Sequence, residues 1–103
     1  ISHSIEKYVI DSSYELVREY VGHGVGKELH EPPQVPNFGH PGVGIEIVRG
    51  LVLAIEPMVN AGTWKTKLLD DGWTVVTEDG KLSCHFEHTV AVTDNGPEIL
   101  TKE

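Results

Sequence analysis

The chain has 103 residues, 39% hydrophobic and 23% charged, with a formal net charge of −8. That length suits one small domain, residues 1–103, which buries about 65% of the surface its unfolded chain exposes and so has a modest core. The acidic balance excludes nucleic acid as the main partner, because phosphate binding needs a basic patch. The eight Lys and Arg are scattered and build no membrane-surface helix, and no apolar run approaches the ~20 residues that span a bilayer. A lone cysteine, Cys84, rules out an intrachain disulfide and fits a reducing compartment. The start at Ile1, inside what reads as a helix, suggests a fragment, a processed product or a truncation.

Ile1, Ile5, Tyr8 and Val9 recur at i, i+4, i+7 and i+8, so residues 1–9 read as the tail of an amphipathic helix, broken by Asp11-Ser12-Ser13. Tyr14 to Val21 is rich in strand formers and reads as a strand. It runs into Val21 to Pro33, V-G-H-G-V-G-K-E-L-H-E-P-P, which reads as a glycine-rich loop holding His23 and His30. Glycine there permits positive φ and close approach of a ligand to the backbone. Taken alone, a G-H-G tripeptide is more often a plain loop than a site. Pro32 and Pro33 bar a helix after His30 and push Glu31 to an extended conformation. Residues 33–44 then read as loop, and Gly50 as a turn.

Leu51 to Ile55 is a continuous apolar run, short enough for a strand buried on both faces. It ends at Glu56-Pro57. A carboxylate there needs a partner, either a basic side chain or a metal. Asn60-Ala61-Gly62 and Asp70-Asp71-Gly72 mark turns around short strands at 64–69 and 73–77. Asp79-Gly80 reads as a hairpin turn into one long strand, Leu82 to Thr93, and Asn95-Gly96 as a second hairpin leading to Glu98–Leu100. On the long strand, Glu87 shares the more polar face with His85 and Thr89. Cys84 falls on its apolar face and reads as packing rather than nucleophile. Trp64 and Trp73 read as core or pocket wall.

His23, Glu56 and Glu87 are of the ligand types that suit Mn, Fe, Co, Ni or Zn. Two carboxylates can each bridge two cations, and such a centre acidifies water and clamps attacking and leaving atoms in hydrolysis. His30 and His85 are candidates for orienting substrate or carrying protons. Spacing alone does not bring the three residues together. The other metal and phosphate motifs fail: no H-E-x-x-H, no P-loop and no dinucleotide fingerprint is present.

In order and spacing, G-H-G-V-G-K-E-L-H-E-P-P-Q-V-P-N, A-I-E-P-M-V-N-A-G, D-G-W-T-V-V-T and F-E-H-T-V-A-V-T-D-N-G-P-E-I-L-T resemble the type I methionine aminopeptidases over nearly the whole chain. The resemblance implies an α+β half of the pita-bread fold, mostly antiparallel sheet with flanking helices. It implies His23, Glu56 and Glu87 as metal ligands, with Glu87 shared by two divalent ions. It implies His30 as a substrate-facing catalytic group and Trp73 as a wall near the substrate. The implied function is removal of the initiator methionine from nascent polypeptides in the cytoplasm. His85 stands where many relatives carry Gln. Prolidases and aminopeptidase P typically follow Glu-Pro with Gly, where this chain has Met58-Val59-Asn60, which disfavours a Pro-directed exopeptidase. The remaining rivals are a non-catalytic binding module of the same fold and a purely structural fragment whose histidines and glutamates are ordinary surface groups. Type II enzymes carry an insertion missing here. The half that supplies two aspartate ligands in the family has no counterpart in the sequence. The expected partners are therefore that N-terminal half, or a second copy, besides nascent chain N-termini.

Overall fold

The computed structural model describes all of residues 1–103. One helix, α1 (Ser2–Asp11), precedes ten short strands. Val9 is its buried residue. The helix ends where expected: the Ser12 amide and hydroxyl both donate to the Tyr8 carbonyl, and Ser13 takes a φ of +67°.

Three strands, β1 (Glu15–Leu16), β5 (Met58–Asn60) and β8 (Ser83–His85), form one sheet in the order β1-β5-β8. Five more, β2 (Gly22–Gly24), β3 (Glu31–Val35), β4 (Val52–Ile55), β9 (His88–Thr93) and β10 (Gly96–Ile99), form a second in the order β10-β9-β4-β2-β3. The remaining two, β6 (Thr66–Leu68) and β7 (Val75–Thr77), pair only with each other. Every pairing is antiparallel. The core is thin: Val9, Leu16, Val17, Val35, Leu53 and Ala54 are the buried apolar side chains, joined by Asn37 and Asn60.

Several expectations need correction. The Tyr14–Val21 strand shrinks to Glu15–Leu16, and the G-H-G stretch is itself a strand. None of Gly22, Gly24 and Gly26 has a positive φ. Gly22 and Gly24 are required for another reason: a Cβ on Gly22 would collide with the Ala54 carbonyl, and one on Gly24 with the Pro32 carbonyl. Two strands flank β2 so closely that only a bare backbone fits between them. Pro32 and Pro33 lie inside β3, not in a loop, and are tolerated because β3 is the sheet edge.

The long strand at 82–93 is two strands in two sheets, broken at Phe86-Glu87. The run before it breaks in the same way: β4 belongs to the five-stranded sheet, β5 to the three-stranded one, with Glu56-Pro57 between them. One register persists across both breaks, with Ala54 opposite Thr89 on one side and Met58 opposite His85 on the other. The Phe86 amide donates to the Pro57 carbonyl at 3.3 Å, stitching the breaks together. Asp79-Gly80 therefore turns the chain out of β7 without pairing β7 to β8. Cys84 is exposed, not packed, and Trp73 is 86% exposed, so neither is core.

Candidate metal centre

The place where two strands change sheets is also where the candidate site forms. Side chains alternate along a strand, and directly paired residues share a face. His23 pairs with Ala54, and Ala54 with Thr89, so these three point the same way. Glu56 lies two residues beyond Ala54 and Glu87 two before Thr89, which continues that face into the break. The outcome is a cluster in which one ligand atom each from His23, Glu56 and Glu87 lies within 4.8 Å of the others. His23 and Glu56 are partly buried, while Glu87 is exposed.

Local bonds prepare these groups. His23 Nδ1 lies 2.9 Å from the Gly24 carbonyl oxygen, which can only accept, so Nδ1 is the donor there and Nε2 is the nitrogen left for a cation. The Glu56 carboxyl is held above the ordinary carboxylate range. Burial is the main cause, the adjacent Glu87 carboxyl the next, and His23 and His85 pull weakly the other way. The chain's two ion pairs are Lys7–Asp11 and Arg49–Asp94, so no basic residue neutralises Glu56. Two carboxyls and an imidazole crowded together with no Lys or Arg among them are a donor set that suits a divalent ion.

The other candidates are distributed around this cluster. The exposed His30 ring lies against His23, with centroids 3.9 Å apart and planes tilted by 36°. The two rings line a groove of about 360 Å³ with Glu31, Pro32, Pro33 and Gln34. His85, on β8, faces a second cavity of about 490 Å³ bounded by Tyr20, Met58, Val75 and Leu82. Trp73 stands apart: it sits in the β6–β7 turn, where its amide donates to Asp71 Oδ1, and lines neither cavity. A group that sequence reasoning passed over is Asn60, fully buried, with Nδ2 donating to the Thr63 carbonyl and Oδ1 accepting from Ser83 Oγ. It ties β5 to β8 just beyond the break, and no sequence signal other than its place in a turn marks it.

Against known proteins, the sequence profile of metallopeptidase family M24 matches residues 1–94. The methionine aminopeptidase of Clostridium acetobutylicum is 61% identical over 101 residues, covering 98% of this chain and 40% of the relative. That of Clostridium perfringens is 60% identical over 101 residues, covering 98% and 41%. The crystal structure of methionine aminopeptidase from Thermotoga maritima superposes with a TM-score of 0.95 at 55% identity, over 99% of this chain and 41% of that one. The Rickettsia prowazekii enzyme gives 0.93 at 43% identity, covering 98% and 41%. The chain thus spans about two-fifths of the length of the curated relatives it matches. Its strands follow part of the pita-bread fold, and the chain belongs to metallopeptidase family M24.

Proposed function

We propose that the chain forms one wall of the metal centre of a cytoplasmic aminopeptidase that removes the initiator methionine from nascent polypeptides. The observation that carries this reading is the convergence of His23, Glu56 and Glu87 within 4.8 Å at the paired strand breaks. His23 would ligate through Nε2 and the two glutamates through carboxylate oxygens, with Glu87 shared between two ions. When bound, divalent Mn, Fe, Co, Ni or Zn supplies Lewis acidity towards the scissile carbonyl and the attacking water. The chain's own groups do the rest. His30, tilted against His23 and open to the groove, would donate a hydrogen bond to the carbonyl oxygen as it gains charge. The hairpin that carries Trp73 supplies a side wall for substrate.

Each ion needs about four to six ligand atoms, so these three side chains are too few for two ions. A second polypeptide surface has to complete the centre, and the surface area supports this. The chain exposes 7412 Å², against about 5,700 Å² for a self-sufficient monomer of this mass. The surplus of about 1,700 Å² is what one partner contributes to a large obligate interface. Part of it is an apolar groove of about 350 Å³ formed by Ile1, Ile47, Leu53, Ile55, Val90 and Val92, on the sheet face opposite the cluster. The part of the relatives that this chain does not span is the proposed cover, with a second copy as the alternative.

Titration calorimetry of the 103-residue chain with Mn²⁺ tests the reading. Weak binding that disappears in Glu87→Gln, and no cleavage of a Met-Ala peptide, are expected. Two tight sites on the isolated chain would contradict it.

A further inference from the structure

The β6–β7 hairpin pairs with neither sheet, and an unsupported two-stranded hairpin is marginal in water. It nevertheless walls the 490 Å³ cavity through Thr66, Val75, Val76 and Thr77, opposite Met58 and His85, and it carries Trp73 at its turn. Something other than a strand ladder holds it in place. Asp79 accepts the amides of Thr63 and Lys81 at 2.8 and 3.0 Å, closing the hairpin's base. Glu19 Oε2 accepts from Thr66 Oγ1 at 2.9 Å. The third tie is Arg18.

The Arg18 guanidinium carbon lies 4.7 Å from the Trp64 ring centroid and 5.6 Å from the Phe38 centroid. Both distances are within cation–π range. Trp64 lies two residues before β6, and Phe38 lies in the loop after β3. Arg18 follows β1 and Val17, whose amide donates to the Met58 carbonyl. One planar cation therefore joins the hairpin's root to a loop and to the three-stranded sheet. Arg18 takes part in neither of the chain's ion pairs, so stacking is the interaction it is placed to make.

We propose that Arg18 is a positioning residue: stacked between Trp64 and Phe38, it sets the attitude of the β6–β7 hairpin and with it the place of Trp73 and the width of the cavity beside His85. What this serves rests on the aminopeptidase reading, but the stack itself does not. Its test needs neither metal nor substrate.

The test is amide hydrogen exchange on the full 103-residue chain, wild type against Arg18→Met and Arg18→Lys, with Trp emission recorded in parallel. Arg18→Met keeps the length and removes the cation. The Leu69 and Glu78 amides, bonded within the hairpin to Thr74 and Lys65, should exchange about tenfold faster once no cation bridges the two rings. The Val92 and Val25 amides, bonded within the five-stranded sheet, should hold their rates. Trp emission should change with the hairpin. Arg18→Lys keeps charge without the plane and should restore part of the protection. Equal acceleration in hairpin and sheet, no acceleration in the hairpin, or Arg18→Lys exchanging like Arg18→Met would each overturn the proposal. Trp64→Leu approaches the stack from the other side: Arg18→Met added to it should produce little further change, and full additivity would count against the stack.

Discussion

Gly22→Ala and Gly26→Ala make the same change four residues apart and should have different consequences. At Gly22 the new methyl meets the Ala54 carbonyl, with the Val35 carbonyl 3.2 Å away on the other side. Both obstacles are backbone, so β2 must move away from β4. Overpacking of this kind costs about 1–3 kcal/mol, offset by about 0.4–1 kcal/mol from the stiffer unfolded chain. The expected net loss is about 1–2 kcal/mol. At Gly26 the atoms nearest the methyl all belong to the Glu31 carboxylate, the end of a flexible side chain that can swing aside and give up its contact with the Glu28 amide. The net change there should stay within about 0.5 kcal/mol. With a urea m-value of about 1 kcal/mol/M for a domain of this size, Gly22→Ala should lower the midpoint by about 1–2 M and Gly26→Ala by less than about 0.5 M. Because His23 is the next residue, displacement of β2 should also weaken Mn²⁺ binding in Gly22→Ala. Urea titrations followed by circular dichroism decide the matter. If Gly26→Ala is as costly as Gly22→Ala, the close packing of β2 against β4 is not what requires glycine here.

Asn60→Leu should cost about 1–2 kcal/mol, because it removes the buried amide's two bonds, to the half-buried Thr63 carbonyl and the exposed Ser83 hydroxyl, while Ser83→Ala should cost about 1 kcal/mol; urea titration compares them. Asp79 is held below the ordinary carboxylate range, by the Thr63 amide first and the Lys81 amide next. A depressed folded-state value gives stability that is complete above the unfolded value and fades as pH falls through the folded one. Acid titration by NMR should therefore show the Asp79 resonance and the Thr63 amide shifting together, below the midpoint of an ordinary aspartate. Glu56 has the opposite sign. Its raised value favours the protonated folded chain, so metal-free stability should decline as pH rises from the ordinary glutamate value through the raised one. Glu56→Gln should flatten that slope, and added Mn²⁺ should oppose it, both read by thermal melts at a series of pH values.

The parts of the fold legible in the sequence were those governed by local chemistry. Helical spacing and the Asp11-Ser12-Ser13 stop marked α1, the apolar run at Leu51–Ile55 marked β4, and Asn95-Gly96 marked the β9–β10 hairpin. What escaped was set by distant neighbours. The G-H-G stretch resembles a loop until two other strands pack against its bare backbone. Two prolines inside a strand make sense only once that strand is known to be an edge. The crossing from β8 to β9 leaves no trace in H-F-E-H, because both halves keep strand composition; its counterpart at Glu56 was visible through Pro57, which interrupts a ladder. The candidate ligands were therefore named by residue type, but their meeting point depends on two sheets exchanging strands at one level, a tertiary fact. Cys84 was misplaced for a related reason: alternation shows which face a side chain takes, and says nothing of whether that face is covered. Residue type alone left Trp73 as core or pocket wall, and its exposure removes the core reading.

The most direct measurement is paramagnetic broadening by Mn²⁺ in the NMR spectrum of the labelled 103-residue chain. At substoichiometric Mn²⁺, the side-chain signals of His23, Glu56 and Glu87 should broaden first and together, with His30 and His85 next and the Asp70-Asp71 turn unaffected. Broadening centred on Asp70-Asp71, or on one of the three residues without the other two, would contradict the account.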